Sequence, residues 1–392
     1  MMQALFLALA LCQAAQPDVV VIVMDDASFS AVASGPRPNI VELAKQGYVF
    51  TNAHAMPLCS PTRRTLLTGR YHLEGQTEQV CATAGSQAIP TGTDFLPALL
   101  PGYDCGIFGK WHASSNPSGP WQLAPQARGF STWRAGLAIN VENCGGDTYQ
   151  HWQRIDDGVT QEVFNSYQPA QTVQAFLAWW EATPSPKLAV VAPQLAHRPF
   201  HRPPASLLPP GYPATPDNAS KYEAMLVAAD AQVGTIMAAI DLQTTVVVLL
   251  GDNGAPVEVG GAKGTSLEGG THVPLVMAGV GIPHGSSNAV VHVVDIPATL
   301  AGHDIGDGVD LHPLMAGAIA VHDFILCGQL ADSLWPLDVC ARGVRWKLRR
   351  TAAGDELYDL LNDPGESVNL IADPTKAAKV AQMTAWLEAR IP

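Results

Sequence analysis

Charge is scarce in this chain. Only 15% of the 392 residues are Asp, Glu, Lys or Arg, while 47% are hydrophobic. Disorder requires the reverse balance and is excluded. Positive charge is scarcer still: 22 Lys and Arg stand against 35 Asp and Glu, a net charge of −13. A general nucleic-acid binder would want the opposite sign, so no nucleic-acid partner is expected. An acidic chain that handles an anion must gather a few cations locally or use a metal. Internal repeats, heptads and low-complexity tracts are absent, which removes solenoids and coiled coils. No run after the first residues is long and apolar enough for an integral membrane anchor. What is present is length enough for a large core, with 35 Gly and 31 Pro. That suits a loop-rich enzyme better than a helical bundle.

Residues 1–15 carry no charge and are too short to span a bilayer, and Ala14 and Ala15 suit cleavage. They are read as a signal peptide, and the protein as secreted or periplasmic. The head lacks the usual Lys or Arg, and bulky Leu11 argues against lipoprotein anchoring at Cys12. A native first strand is the competing reading, but Asp18–Met24 fills that role better.

DVVVIVMDD (Asp18–Asp26) is a β-branched run expected of a strand buried on both faces of a parallel sheet. A helix over Asn39–Gln46 follows, stopped by Gly47. KLAVVAP (Lys187–Pro193), TTVVVLLGDNG (Thr244–Gly254) and VPLVMAG (Val273–Gly279) are runs of the same kind. A long helix, Lys221–Ile240, shows an apolar stripe through Tyr222, Met225, Ala229, Val233 and Ile236. Strand and helix alternate, so the fold class is α/β, a mostly parallel central sheet flanked by helices. After Val321 the pattern changes to short strands, HDFILCGQ, RGVRWKLRR and DELYDL, and a helix over Lys376–Ile391. The expected organisation is a catalytic domain over 16–320 and a small antiparallel subdomain over 321–392.

Two buried strands end in oxygen donors, Asp25 and Asp26 after the first, Asp252 and Asn253 after another. Ligands collect at the carboxyl ends of strands in open α/β sheets. Three carboxylates and an amide oxygen there would hold a hard cation, calcium or magnesium rather than zinc. The plainer reading is that DD and DN open turns. Each pair alone would be read so; the two together point to a metal.

The stretch LCSPTRRTLLTGR (Leu58–Arg70) is the most informative. Pro61 suits the first turn of a helix that stops near Gly69. Cys59 then lies at a helix N-terminus, where backbone N–H groups favour an anion, and Arg63 lies one turn on. A disulfide or buried thiol is the alternative for Cys59. CSPTR followed by TLLTGR resembles the type I sulfatase pattern, C-x-P-[ST]-R-x4-T-G-R. MDDAS resembles that family's first metal pair, GKWH (Gly109–His112) its Lys and His, and GDNGA its second metal pair. KGTSLEGGTHVPLV (Lys263–Val276) and DELYDLLNDPGESVNL (Asp355–Leu370) are also similar, so the resemblance covers the chain after the leader almost end to end. It departs at His272, where the family usually has Arg, and at Ser28, where Gly is common.

The resemblance implies a sulfuric ester hydrolase of the alkaline-phosphatase superfamily. Cys59 would be converted to formylglycine by a maturation enzyme and would share one Ca2+ with Asp25, Asp26, Asp252 and Asn253. Its hydrated aldehyde would attack sulfur, with Lys110, Lys263 and His197 offsetting charge and His197 protonating the leaving oxygen. His112 would help the second hydroxyl expel sulfate, and Arg63 would hold the hydrate. His197 competes with nearby His201 for its role. The substrate would be a sulfated glycan or small aryl sulfate. A phosphonate or phosphodiester hydrolase on the same scaffold, and a non-catalytic sulfated-glycan binder, are the alternatives.

Cys81, Cys105, Cys144, Cys327 and Cys340 remain once Cys59 is modified. A bridge between Cys327 and Cys340, on neighbouring antiparallel strands, is expected of an exported protein. Trp121, Trp133, Trp152, Trp179 and Trp180 are assigned to packing rather than to a sugar-stacking wall. Asn218-Ala219-Ser220 is a glycosylation sequon.

Overall fold

The computed structural model describes residues 16–73, 89, 92–114, 116, 119–142, 146–331 and 336–391. The expected leader, Cys81 and Cys144 lie outside them. Among the described residues a ten-stranded sheet holds β1 (Asp18–Met24), β2 (Gly47–Phe50), β3 (Asp104–Lys110), β4 (Thr132–Leu137) and β5 (His151–Asp156). It continues with β6 (Val159–Phe164), β7 (Lys187–Ala192), β8 (Thr245–Gly251), β9 (Leu275–Gly279) and β10 (Gly285–Ser287). The spatial order is β10-β2-β9-β8-β1-β7-β3-β4-β5-β6. The central strands β8, β1, β7, β3 and β4 are parallel.

The unbroken apolar run of β1 follows from burial on two faces. Val19, Val21 and Val23 pack with Leu66 and Leu67 of α2 (Cys59–Thr68). Val20, Ile22 and Met24 pack on the other side against α1 (Pro38–Lys45), α3 (Gln168–Ala182) and α4 (Asn218–Met237). Trp179 and Trp180 of α3 join that second layer, and Trp133 and Trp152 are also core residues. VPLVMAG, grouped by sequence with the parallel strands, forms β9 and runs antiparallel to both β8 and β2. Burial on both faces produces the same apolar run in either direction, so composition carries no sign of orientation.

Helix α4 starts three residues before the expected Lys221. The Asp217 carboxylate accepts from the Ser220 backbone N–H at 2.8 Å, and the Ser220 side chain returns to the Asp217 N–H in a capping box. The sequon residues therefore lie within this helix start.

A second sheet holds β11 (Ile325–Gln329), β12 (Asp338–Arg342), β13 (Trp346–Thr351) and β14 (Gly354–Asp359), antiparallel in sequential order. Met383 and Leu387 of α5 (Ala377–Glu388) pack on Leu326, Val339, Leu348 and Leu357. RGVRWKLRR, read as one strand, is divided: Arg342 ends β12 and β13 begins at Trp346. The register places Cys327 directly opposite Cys340. Both are buried free thiols that share a side-chain hydrogen bond, so the expected bridge is not formed in this structure.

The second sheet is fastened to the main body through a buried ion cluster. Arg342 donates twice to Glu268, and Lys347 sits 2.7 Å from Glu268 and 2.8 Å from Glu366. Glu268 follows the Lys263 loop closely in sequence, so this clamp fixes a loop as well as a subdomain.

Replacing Asp217 by Ala should lower stability through loss of the cap, read as a lower urea midpoint, with Asp217→Asn close to wild type. Urea unfolding checks this; equal losses in both variants would count against the capping account.

Candidate active site

The site is built where parallel strands end. Met24 pairs with Gly251 at the last step of the β1–β8 register, so Asp25 and Asp252 leave the same edge side by side. The Asp26 backbone N–H donates to Asp252 Oδ1 at 3.0 Å, and the Asp252 N–H donates to the Met24 carbonyl at 2.9 Å. Asp26 takes a φ of 58°, a left-handed conformation rare outside glycine and stored here by its surroundings. The Tyr222 hydroxyl from α4 donates to the Asp26 carbonyl at 2.7 Å. Asp25, Asp26, Asp252 and Asn253 are all buried.

Cys59 is the first residue of α2, and Gly69, with φ 64°, ends that helix as the sequence implied. The Cys59 sulfur lies 3.4 Å from Asp25 Oδ1, 3.7 Å from Asp26 Oδ1 and 3.4 Å from Lys263 Nζ. Burial, then Asp25 and Asp252, push its thiol well up, so it is neutral as cysteine. Lys263 is brought in by its loop: its N–H donates to the Ala255 carbonyl, and the Gly264 N–H to the Pro57 carbonyl at 2.9 Å.

The cations interleave with the carboxylates. Arg63 donates through Nε and Nη2 to Asp252 Oδ2, at 3.1 and 2.9 Å, and through Nη1 to the Lys110 carbonyl. Lys110 Nζ lies 2.6 Å from Asp25 Oδ2, and Lys263 Nζ contacts Asp26 Oδ1 closely. Burial pushes Asp25 up, but Lys110, His197 and Arg63 outweigh it and hold the carboxyl well below its usual range. Asp252 goes the other way: burial and the neighbouring Asp25 push it up to about 6 despite Arg63. Burial likewise depresses Lys263, yet Asp26 more than reverses it and the ammonium is firmly charged.

His197 Nε2 is 4.0 Å from Asp26 Oδ2, whereas His201 turns away, bonding Tyr167 with its ring tilted against Tyr149 at 4.3 Å. The tertiary structure thus separates two histidines that sequence alone left competing. His197 Nδ1 lies 2.7 Å from the Arg198 carbonyl, which can only accept, so Nδ1 carries the hydrogen and Nε2 faces the site. Burial lowers the His197 pKa to about 4. His112 lies beyond the end of β3 with φ 44°, so strand alternation does not extend to it. It is buried, both its ring nitrogens lack partners among the described residues, and burial with Lys110 lowers its pKa well below the usual value.

The donors fit a hard divalent cation. Asp25, Asp26, Cys59 and His197 present ligand atoms within 4.8 Å of one another. Asn253 donates its amide N–H to Asp26 at 2.8 Å, while its buried Oδ1 has no partner among the described residues, as a carbonyl ligand of a cation would. Three adjacent carboxylates, one of them pushed toward protonation, have the electrostatics a divalent cation relieves. His272 and Ser28, where the motif departs, are elsewhere employed: His272 stacks on Phe29 at 4.5 Å, and Ser28 caps the helix Phe29–Ser34. Tyr222 and Gln194, whose amide nitrogen is 3.1 Å from His197 Nδ1, escaped sequence reasoning. Tyr222 was visible only as part of an apolar stripe, and Gln194 only by its place three residues before His197.

In chelated protein, Lys110→Met should lower stability by about 3 kcal/mol or more, because Asp25 would stay buried without its nearest cation. Since the Asp25 pKa is depressed on folding, its contribution is present above about pH 4, the ordinary carboxylate value, and is lost as pH falls. Denaturant titrations across pH should show that acid limb flattened in the variant. An unchanged limb would refute the ion-pair assignment.

A model of the sulfatase family matches residues 17–304. Mouse arylsulfatase J is 25% identical over 300 residues, covering 67% of this chain and 48% of that protein. Dog N-acetylgalactosamine-6-sulfatase is 28% identical over 382 residues, covering 81% of this chain and 67% of the relative. The chain therefore spans about half the length of the first and two thirds of the second. Among solved structures, Ps i-CgsB in complex with k-i-k-neocarrahexaose shares the fold with a TM-score of 0.80. That likeness covers 95% of this chain and 92% of the other at 21% identity. With the family pattern matched over nearly three quarters of its length, on a sheet whose strand ends gather Cys59 among carboxylates and cations, this chain belongs to the sulfatase family.

Proposed function

We propose that the protein hydrolyses a sulfate monoester at Cys59, on a sulfated carbohydrate or an aryl sulfate. The observation that carries this reading is the placement of Cys59 at a helix start, its sulfur within 3.7 Å of two carboxylates and 3.4 Å of Lys263. Conversion of Cys59 to formylglycine, with calcium held by Asp25, Asp26, Asp252, Asn253 and residue 59, would supply a hydroxyl nucleophile of lowered pKa.

The chain's own groups then do the rest. Lys110 and Lys263 offset the charge on the sulfuryl oxygens in a site largely closed to water. Arg63, already fixed by Asp252 and the Lys110 carbonyl, holds residue 59 in place. His197 delivers a proton from Nε2 to the leaving oxygen. It is neutral at pH 7 without substrate, and an adjacent sulfate anion raises its pKa toward the working range. His112, neutral and unpartnered, is a base for the second proton at residue 59. The name of the dog relative, a 6-sulfatase of N-acetylgalactosamine, supports a carbohydrate substrate. A leader over 1–15, export, a maturation enzyme acting on Cys59 and the division at residue 320 belong to the same reading. Among the described residues no helix is long and apolar enough to cross a membrane.

Cys59→Ala should fold and lose essentially all release of sulfate from 4-nitrophenyl sulfate, while the matured wild type shows an aldehyde and no alkylatable thiol in the peptide spanning Met56–Thr65. Wild-type turnover in that variant would end the mechanism. Faster cleavage of a nitrophenyl phosphodiester than of the sulfate would favour the phosphorus chemistry instead.

The metal is tested separately by stability. Calcium added to chelated protein should raise Tm more than zinc does, and Asn253→Leu should shrink the calcium shift. No shift with calcium would remove it from the site.

A further inference from the structure

After β4 ends at Leu137, residues 138–142 run along the sheet's carboxyl edge beside the site. The His112 N–H donates to the Ala138 carbonyl at 2.9 Å, and the Val141 N–H donates to Gln194 Oε1 at 2.8 Å. The Gln194 amide nitrogen lies 3.1 Å from His197 Nδ1, so this segment is hydrogen-bonded to His112 and packs, through Gln194, against His197. Among the described residues, two of its side-chain oxygens, Asn140 Oδ1 and Glu142 Oε2, are buried without any hydrogen-bond partner. The other Glu142 oxygen is 3.8 Å from Arg198 Nε. Burial pushes the Glu142 carboxyl up, while Arg198, Lys110 and Lys263 pull it back, which places it within the field of the site cations.

A buried acceptor with no donor is costly, and such groups persist where a ligand satisfies them. Both of these oxygens are acceptors, so their complement must bring donors. A sulfate group brings only acceptor oxygens and is repelled by Glu142. An aryl ring brings none. A saccharide carries hydroxyl donors on the carbons next to the ester.

We propose that Asn140 and Glu142 form the recognition subsite for the alcohol half of the substrate, accepting hydrogen bonds from hydroxyls of the sugar ring that bears the sulfate. This rests on the sulfatase reading and adds the substrate class to it: a polyhydroxylated sugar sulfate rather than an aryl sulfate. Matured enzyme would be assayed for sulfate release from 4-nitrophenyl sulfate and from monosulfated galactose, N-acetylgalactosamine and glucosamine. The quantity read is kcat/KM for the best sugar divided by that for nitrophenyl sulfate. Asn140→Ala and Glu142→Ala should each lower this ratio about tenfold or more, chiefly through KM, and Glu142→Gln, which keeps an acceptor, should lower it less. A parallel loss on both substrates, an unchanged ratio, or a wild type that prefers nitrophenyl sulfate to every sugar would overturn the subsite. Sulfate release from none of the compounds would sink the sulfatase reading itself.

Discussion

Three carboxylates buried at the ends of two adjacent parallel strands are the constraint around which this protein is arranged. Asp25, Asp26 and Asp252 repel one another, and their burial would be prohibitive without compensation. Lys110 arrives from β3, Arg63 from α2 and Lys263 from a glycine-flanked loop, each meeting a different carboxylate. The sheet order makes this convergence possible. β1 and β8 are neighbours, β3 lies one strand beyond β7, and α2 covers the face above.

The second sheet belongs to the same arrangement although it contributes no residue to the carboxylate cluster. Its Arg342 and Lys347 close on Glu268, and Glu366 accepts from the Glu268 backbone N–H at 2.7 Å. Glu268 lies five residues after Lys263. A subdomain that reads as an appendage is thus a brace for the loop that delivers a cation to Cys59. Burial of an ion cluster is weak evidence for added stability, but it fixes one register between the two bodies.

The region around His112, His197 and residues 138–142 is unlike the carboxylate cluster, where most polar atoms are paired. Here His112, Asn140 and Glu142 keep unpartnered atoms, and His112 holds a left-handed backbone.

Local signals were enough for much of this. The apolar runs of β1, β7 and β8 require burial on both faces, and Pro61 with Gly69 bounds a helix that starts at Cys59. The oxygen donors after two such strands announce a hard-cation site. All of these rest on neighbours within a few residues. The direction of β9, the approach of His197 rather than His201 to Asp26, the opposition of Cys327 to Cys340, and the brace on Glu268 were decided only in three dimensions. So were the unpartnered oxygens of Asn140 and Glu142. Burial pattern does not encode strand direction, and a side chain's partner can lie 237 residues away along the chain, as Asp26 does from Lys263. Periodicity reports which residues are buried; the fold alone decides what they are buried against.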